Sequence, residues 1–114
     1  DHNPIDIESK KVEFSEAKNG TIGLESFFGA VNSVLDLSDF IENITSKPRT
    51  IFGIDAAAIA LGEKADISLF NPEGKNTFTK NNILSTSKNS AFINKQVIGK
   101  VYGVFSNNQL ILNS

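Results

Sequence analysis

The stretch Ile59-Ala60-Leu61-Gly62-Glu63-Lys64-Ala65-Asp66-Ile67-Ser68-Leu69-Phe70-Asn71-Pro72 is where the chain changes its period. Within it, Ala65 to Phe70 is a strand candidate that puts Ile67 and Leu69 on one face, because side chains two apart in an extended chain point the same way. Asn71-Pro72-Glu73-Gly74 then predicts a β-turn, with φ preset by proline at its second position. Further on, Val97 to Phe105 and Gln109 to Leu112 flank Ser106-Asn107-Asn108. Adjacent asparagines accept the positive φ of a tight turn, so a C-terminal hairpin is expected.

Upstream the spacing is helical. Leu24, Phe27, Phe28, Val31, Val34 and Leu35 fall on one face at steps of three and four, which predicts a helix with a core-facing stripe. Ser38 reads as the N-cap of a second helix carrying Phe40, Ile41 and Ile44. Ser46-Lys47-Pro48 reads as a third start, with proline tolerated in the first turn and Gly53 as the stop. Asp1 to Asn19 is polar and irregular, a long surface loop with a short helical turn. The junction between the helical and β parts falls near Gly53 to Ala58, and no repeat or low-complexity segment is present.

Bulk properties narrow the partners. Eleven basic and 13 acidic side chains give a net charge of −2, which supplies no basic field for a phosphate backbone, so nucleic acid is not an expected partner. No apolar run approaches the roughly 20 residues of a membrane span, so no membrane association is expected. The absence of cysteine excludes disulfides and thiolate metal sites and fits a cytoplasmic address. With 114 residues the chain is well short of the roughly 250 of a complete (β/α)8 barrel. It starts with Asp1 and contains no methionine, so an upstream part of the same protein is expected.

Motifs in order along the chain carry a resemblance. Asp1-His2-Asn3-Pro4, then Lys10, Phe14, Gly20 and Gly23-Leu24-Glu25, resembles the last catalytic loop of bacterial dihydroorotases. The family pattern there is Asp-His-Ala-Pro-His, a charged stretch, Phe, a Phe-Gly pair and a Gly-x-Glu helix start. Ser46 to Gly53 is similar to the amidohydrolase Asn-Pro-Ala-x-x-Phe-Gly helix. Ile59 to Pro72 resembles the Ile-x-x-Gly-x-x-Ala-Asp-Leu signature of that superfamily. Ser87-Lys88-Asn89-Ser90-Ala91-Phe92 and Gly99-Lys100-Val101 resemble the Ser-Lys-Asn-x-Pro-Phe and Gly-x-Val elements of dihydroorotases, with Ala91 where proline is usual.

The resemblance implies an α/β fold: the C-terminal end of a metal-dependent (β/α)8 barrel, its last catalytic loop and helices in 1–53, followed by strands of a small β-sandwich in 54–114. It implies a dihydroorotase parent that interconverts carbamoyl aspartate and dihydroorotate, with zinc as cofactor and a small-molecule substrate. Asp1 would ligate the metal and act as base and then acid. Asn19 and Gly20, at the Phe-Gly pair, would offer backbone groups to the substrate ring. The remaining ligands, a His-x-His pair, a carboxylated lysine and two histidines, belong to earlier strands, so the 114 residues alone would be inactive. His2, the sole histidine, has an expected polar or solvent-facing role.

Ile5 stands where the family has its second histidine, and an alkyl group offers no hydrogen bond to a carboxylate-bearing substrate. With Asn3 and Asn19, it motivates a second reading, a noncatalytic homologue that serves as structural partner of aspartate transcarbamoylase. A third is an independent binding module. The apolar stripe, cut from its barrel, would drive association with a second copy, as a homodimer, or with the rest of the parent.

Overall fold

The computed structural model describes residues 1–55 and 58–113. The junction expected near Gly53 to Ala58 runs through residues 56 and 57, which lie outside the described residues. The elements are helices α1 (Leu24–Val31), α2 (Leu37–Ile44) and α3 (Ser46–Phe52), and strands β1 (Ile67–Thr77), β2 (Gln96–Ser106) and β3 (Gln109–Leu112), with short 3-10 turns at Glu8–Lys10 and Lys80–Asn82. Among the described residues no helix is long and apolar enough to cross a membrane.

The strands form one antiparallel sheet in the order β1-β2-β3. The expected hairpin is present. Asn107 and Asn108 have φ of 49° and 59°, the left-handed pair that a two-residue turn matching strand twist requires, and Ser106 pairs with Gln109. The turn expected at Asn71 to Gly74 is not a chain reversal. β1 runs through it as a bulge: Asn71 pairs with Lys100 and Lys75 with Ile98, so Pro72, Glu73 and Gly74 stand opposite Gly99 alone. The local turn chemistry is real, since the Asn71 side chain accepts the Glu73 N–H at 2.9 Å, but strand pairing resumes on both sides of it.

Helix ends follow their local chemistry. Gly53 closes α3 at φ 64°, ψ 32°, and the Ile54 N–H reaches back to the Arg49 carbonyl at 2.8 Å, as expected for a glycine stop. The expected cap of α2 is corrected. Asp36, not Ser38, is the N-cap, its extended backbone letting the carboxylate accept the Ser38 N–H at 2.9 Å.

The largest correction concerns α1. Its stripe faces the interior only in part: Phe28 and Val31 are half-buried, whereas Leu24 is 70% and Val34 78% exposed. The buried residues of α1 are Ser26 and Gly29. The helix lies so close to β2 that a Cβ on Gly29 would come within 2.9 Å of Val97 Cβ, so no side chain larger than hydrogen fits at that position. Phe28 is the link between layers, its ring 4.8 Å from Phe70 on β1 and 5.8 Å from Phe40 on α2. Below α1 sits a cluster of Ile22, Phe78, Ile83 and Val97, with Phe92 and Ile93 packed on it.

The last turn of α1 plugs into the bulge. The Asn32 side-chain amide donates to the carbonyls of Pro72 at 2.8 Å and Ile98 at 3.0 Å. The Ser33 hydroxyl donates to the Gly29 carbonyl at 2.6 Å and accepts the Ile98 N–H at 3.0 Å.

Gly29→Val would force α1 off β2. Its expected cost is about 2 kcal/mol, in the range of overpacked cores, read as a lowered urea midpoint. Asp36→Ala should cost about 1 kcal/mol and Ser38→Ala within about 0.5, the reverse of the order expected were Ser38 the cap.

Candidate active site

Residues 1–5 run beside residues 19–24, and the contact is almost entirely polar. The Asn3 N–H donates to the Thr21 carbonyl at 2.9 Å. The His2 Nδ1 accepts the N–H groups of Gly23 and Leu24, each at 3.2 Å, the unpaired donors at the start of α1. An Nδ1 that accepts carries no proton, so the ring has its hydrogen on Nε2. His2 is therefore half-buried and polar, as a helix cap and not as a solvent-facing side chain. The backbone carbonyl of the exposed Asp1 lies over Gly23, where a Cβ would come within 2.3 Å of it.

Gly20 is placed by the same pairing. It has φ 134°, a conformation that favours glycine, and a Cβ there would meet Ile5 Cγ1 at 2.6 Å and the Asn3 side chain at 2.9 Å. Ile5 is half-buried against it. Asp1 and Gly20 thus sit on one pair of adjacent segments, with Asn19 exposed beside Gly20.

A third segment, residues 85–91, brackets these two. The Asn89 carbonyl accepts the Ile22 N–H at 3.0 Å and the Thr21 hydroxyl at 3.2 Å, while its side-chain amide donates to the Gly20 carbonyl at 3.2 Å. The Ala91 N–H donates to the Thr21 hydroxyl at 3.1 Å, and the Ser87 hydroxyl donates to the Ile5 carbonyl at 2.8 Å. Lys88 turns its ammonium inward to the carbonyls of Ile83 at 2.8 Å and Ser85 at 2.9 Å, so it shapes the bracket. The sequence motif Ser87-Lys88-Asn89 marked this stretch. Thr21 and Ser85 carried no local signal, because each acts across more than 50 residues of chain, whereas Glu25 lies in the Gly23-Leu24-Glu25 motif.

Glu25, in the first turn of α1, ties the helix to that bracket. Its Oε1 accepts the Ser85 N–H at 2.8 Å and the Ser85 hydroxyl, while Oε2 is enclosed with no hydrogen-bond partner among the described residues. Burial raises the Glu25 pKa, but the two bonds from Ser85, with a backbone N–H bond at Glu25 itself, outweigh it and hold the carboxyl below its ordinary 4.5. At the far end of the molecule Asp66, of the Ala65-Asp66 pair, is held low first by the Ser106 hydroxyl and then by Lys64 at 3.4 Å. That bond ties the entry to β1 to the end of β2.

Catalytic zinc takes three protein ligands. Among the described residues no three His, Asp or Glu side chains converge on a metal position. Asp1 is one carboxylate, and the imidazole beside it has committed Nδ1 to helix N–H groups, so these residues do not fit a metal held by this chain alone. A cleft of about 390 Å³ lies elsewhere, between α3 and residues 58–67, lined by Arg49, Thr50, Ile54, Ile59, Lys64 and Asp66 among others; none of Asp1, Asn19 and Gly20 lines it.

No family model matches the chain. Among curated proteins it is similar to the dihydroorotase of Clostridium acetobutylicum, 35% identical over 97% of this chain and 28% of the relative. The dihydroorotase of Trichlorobacter lovleyi is 35% identical over 87% of this chain and 24% of its own length. That of Clostridioides difficile is 33% identical over 100% and 28%. Among solved structures, the D-hydantoinase (dihydropyrimidinase) from Thermus sp. superposes with a TM-score of 0.74 over 98% of this chain and 27% of that one, at 22% identity. The chain therefore spans only 24–28% of the length of these curated relatives.

Because the folded pKa of Glu25 is depressed, its clasp contributes fully above the ordinary value of 4.5 and is lost as pH falls through the lower folded value. Ser85→Ala removes one of the two bonds, so the Glu25 carboxyl should titrate at higher pH in that variant, measured by carbon NMR of the side-chain carboxyl.

Proposed function

By sequence the chain is a relative of the dihydroorotases along its whole length, and from that premise we propose that it is the C-terminal part of a dihydroorotase. The reaction would be the reversible closure of carbamoyl aspartate to dihydroorotate, in pyrimidine biosynthesis and in the cytoplasm. The observation that carries this reading is the similarity to the Clostridioides difficile dihydroorotase over 100% of this chain, which therefore includes the loop bearing Asp1. The packing of that loop agrees with it: residues 1–5, 19–24 and 85–91 are fastened to one another by hydrogen bonds that no plain surface loop needs.

In this reading residues 1–53 are the last catalytic loop and helices of a (β/α)8 barrel, and residues 54–114 are part of a β-sandwich. Asp1 is the metal ligand and proton carrier, taking a proton from the attacking water and returning it to the leaving amide nitrogen. Zinc, one or two ions, would be held by Asp1 together with ligands lying outside these residues, and the chain alone is inactive. Asn19 and Gly20 present backbone groups to the substrate ring, with Gly20 held in place by Ile5 and Asn3, which occupy the space a Cβ would need. The exposed apolar groups of the helices and of the turn after α1, Leu24, Val34, Ile51 and Phe52, would be covered by the rest of the parent or by a second copy in a homodimer.

Ile5 supports a second reading. It packs on Gly20 where a substrate-binding histidine is expected, which suits a noncatalytic homologue retained as a partner of aspartate transcarbamoylase.

Purified full-length protein supplied with zinc should turn over dihydroorotate, and Asp1→Asn should lower kcat by about 10²- to 10⁴-fold, the usual worth of a positioned acid and base. Ile5→His should lower KM by roughly tenfold, through a charge-assisted bond to the substrate carboxylate. Absence of turnover in the wild type would defeat the catalytic reading in favour of the noncatalytic one.

A further inference from the structure

We propose that His2, the sole histidine, is a positioning residue for Asp1, pinning the aspartate to the N-terminus of α1; the inference rests on the catalytic reading of Asp1 above.

Asp1 is exposed, and the structure fixes its backbone on two sides. Its own carbonyl rests on the bare Cα of Gly23, where any Cβ would collide with it. The next residue reaches the same place: His2 Nδ1 accepts two N–H groups at once, those of Gly23 and Leu24, at 3.2 Å each. The residue after that adds the Asn3 N–H to Thr21 carbonyl bond at 2.9 Å. Three consecutive residues are thereby keyed to Thr21–Leu24, and α1 is itself tied down by Glu25 on Ser85 and by Asn32 on the sheet.

The imidazole does here what a serine or asparagine does at an ordinary N-cap, but from a distant segment of chain. A local cap would satisfy the same N–H groups while leaving Asp1 unattached. Gly23, the residue before the helix, makes no side-chain cap, which leaves these donors to His2. The lone pair so used is unavailable for a metal, so beside Asp1 the histidine serves geometry, not ligation. A catalytic carboxylate must be held to within a fraction of an ångström, and loss of such a hold costs rate more than binding.

Asparagine and glutamine separate this role from others. The Asn Oδ1 is bonded to Cγ as the His Nδ1 is and can accept the same two N–H groups, whereas the Gln oxygen sits one atom further out. In the full-length protein with zinc, His2→Gln should lower kcat for dihydroorotate by about 10- to 100-fold with KM within about threefold. Amide exchange at Gly23 and Leu24 should be at least about fivefold faster, the worth of a lost cap. His2→Asn should restore both to near wild type.

The asparagine variant decides by itself even if the glutamine one folds poorly. Protected amides with a kcat as low as in a knockout would overturn the proposal, because the imidazole would then have a chemical role. Fast exchange in His2→Gln with unchanged kcat would also overturn it, leaving a cap without a positioning function. Wild-type protein lacking turnover would instead fail the catalytic reading, a result visible before any variant is made, and the proposal would fall with it.

Discussion

The architecture depends on the side-chain amide of Asn32. Two carbonyls, one on each of two strands, point at the end of α1 because β1 bulges at Pro72 and β2 bends at Gly99, and a single NH2 group satisfies both. Proline has no N–H to give a ladder, so the strand must break pairing there, and the broken pairing exposes polar groups that need partners. Asn32 and Ser33 supply them. The helix is therefore docked on a defect in the sheet, and the register of the defect sets where α1 lies. Gly29 and Ser26 follow from that position, since a helix held by short polar side chains runs too close to β2 for anything larger.

With one end of α1 fixed on the bulge, its other end becomes the reference point for the candidate site. His2 and Glu25 meet there from distant parts of the chain, and the residue 85–91 bracket closes over both flanking segments. The hold is built from hydrogen bonds of about 1 kcal/mol each, and not from apolar burial. Such bonds are directional, so they fix the position of a loop more narrowly than apolar contact would. Thr21 shows the economy: one hydroxyl donates to the Asn89 carbonyl and accepts the Ala91 N–H, so both of its capacities are used.

Polar fastening leaves part of the apolar surface of the helices, such as Leu24, Ile51 and Phe52, exposed. The described core centres on Ile22, Phe78, Ile83 and Val97, beneath α1, while Phe40 of α2 is buried under Phe27 and Phe28. A chain that matches only 24–28% of its curated relatives' length carries apolar surface on α1 and α3 that its own sheet does not cover.

What the sequence determined by itself was everything decided within a few residues. The hairpin followed from Asn107 and Asn108, the end of α3 from Gly53, and the kinship with dihydroorotases from ordered motifs, because turn dihedrals, glycine's freedom and residue spacing are local properties. The α2 cap was missed by two residues because Asp36 and Ser38 are both good caps and only the extended backbone at Asp36 separates them. The turn at Asn71 to Gly74 was legible as chemistry but not as topology, since a bulge and a reversal use the same dihedrals. Only the tertiary structure decided which face of α1 turns inward, that His2 caps a helix 20 residues on, and that Thr21, Glu25, Ser85 and Asn89 converge around Asp1 and Gly20. Periodicity reports that a face is apolar but not what lies against it, and a hydrogen bond between segments 60 residues apart leaves no mark on either segment alone.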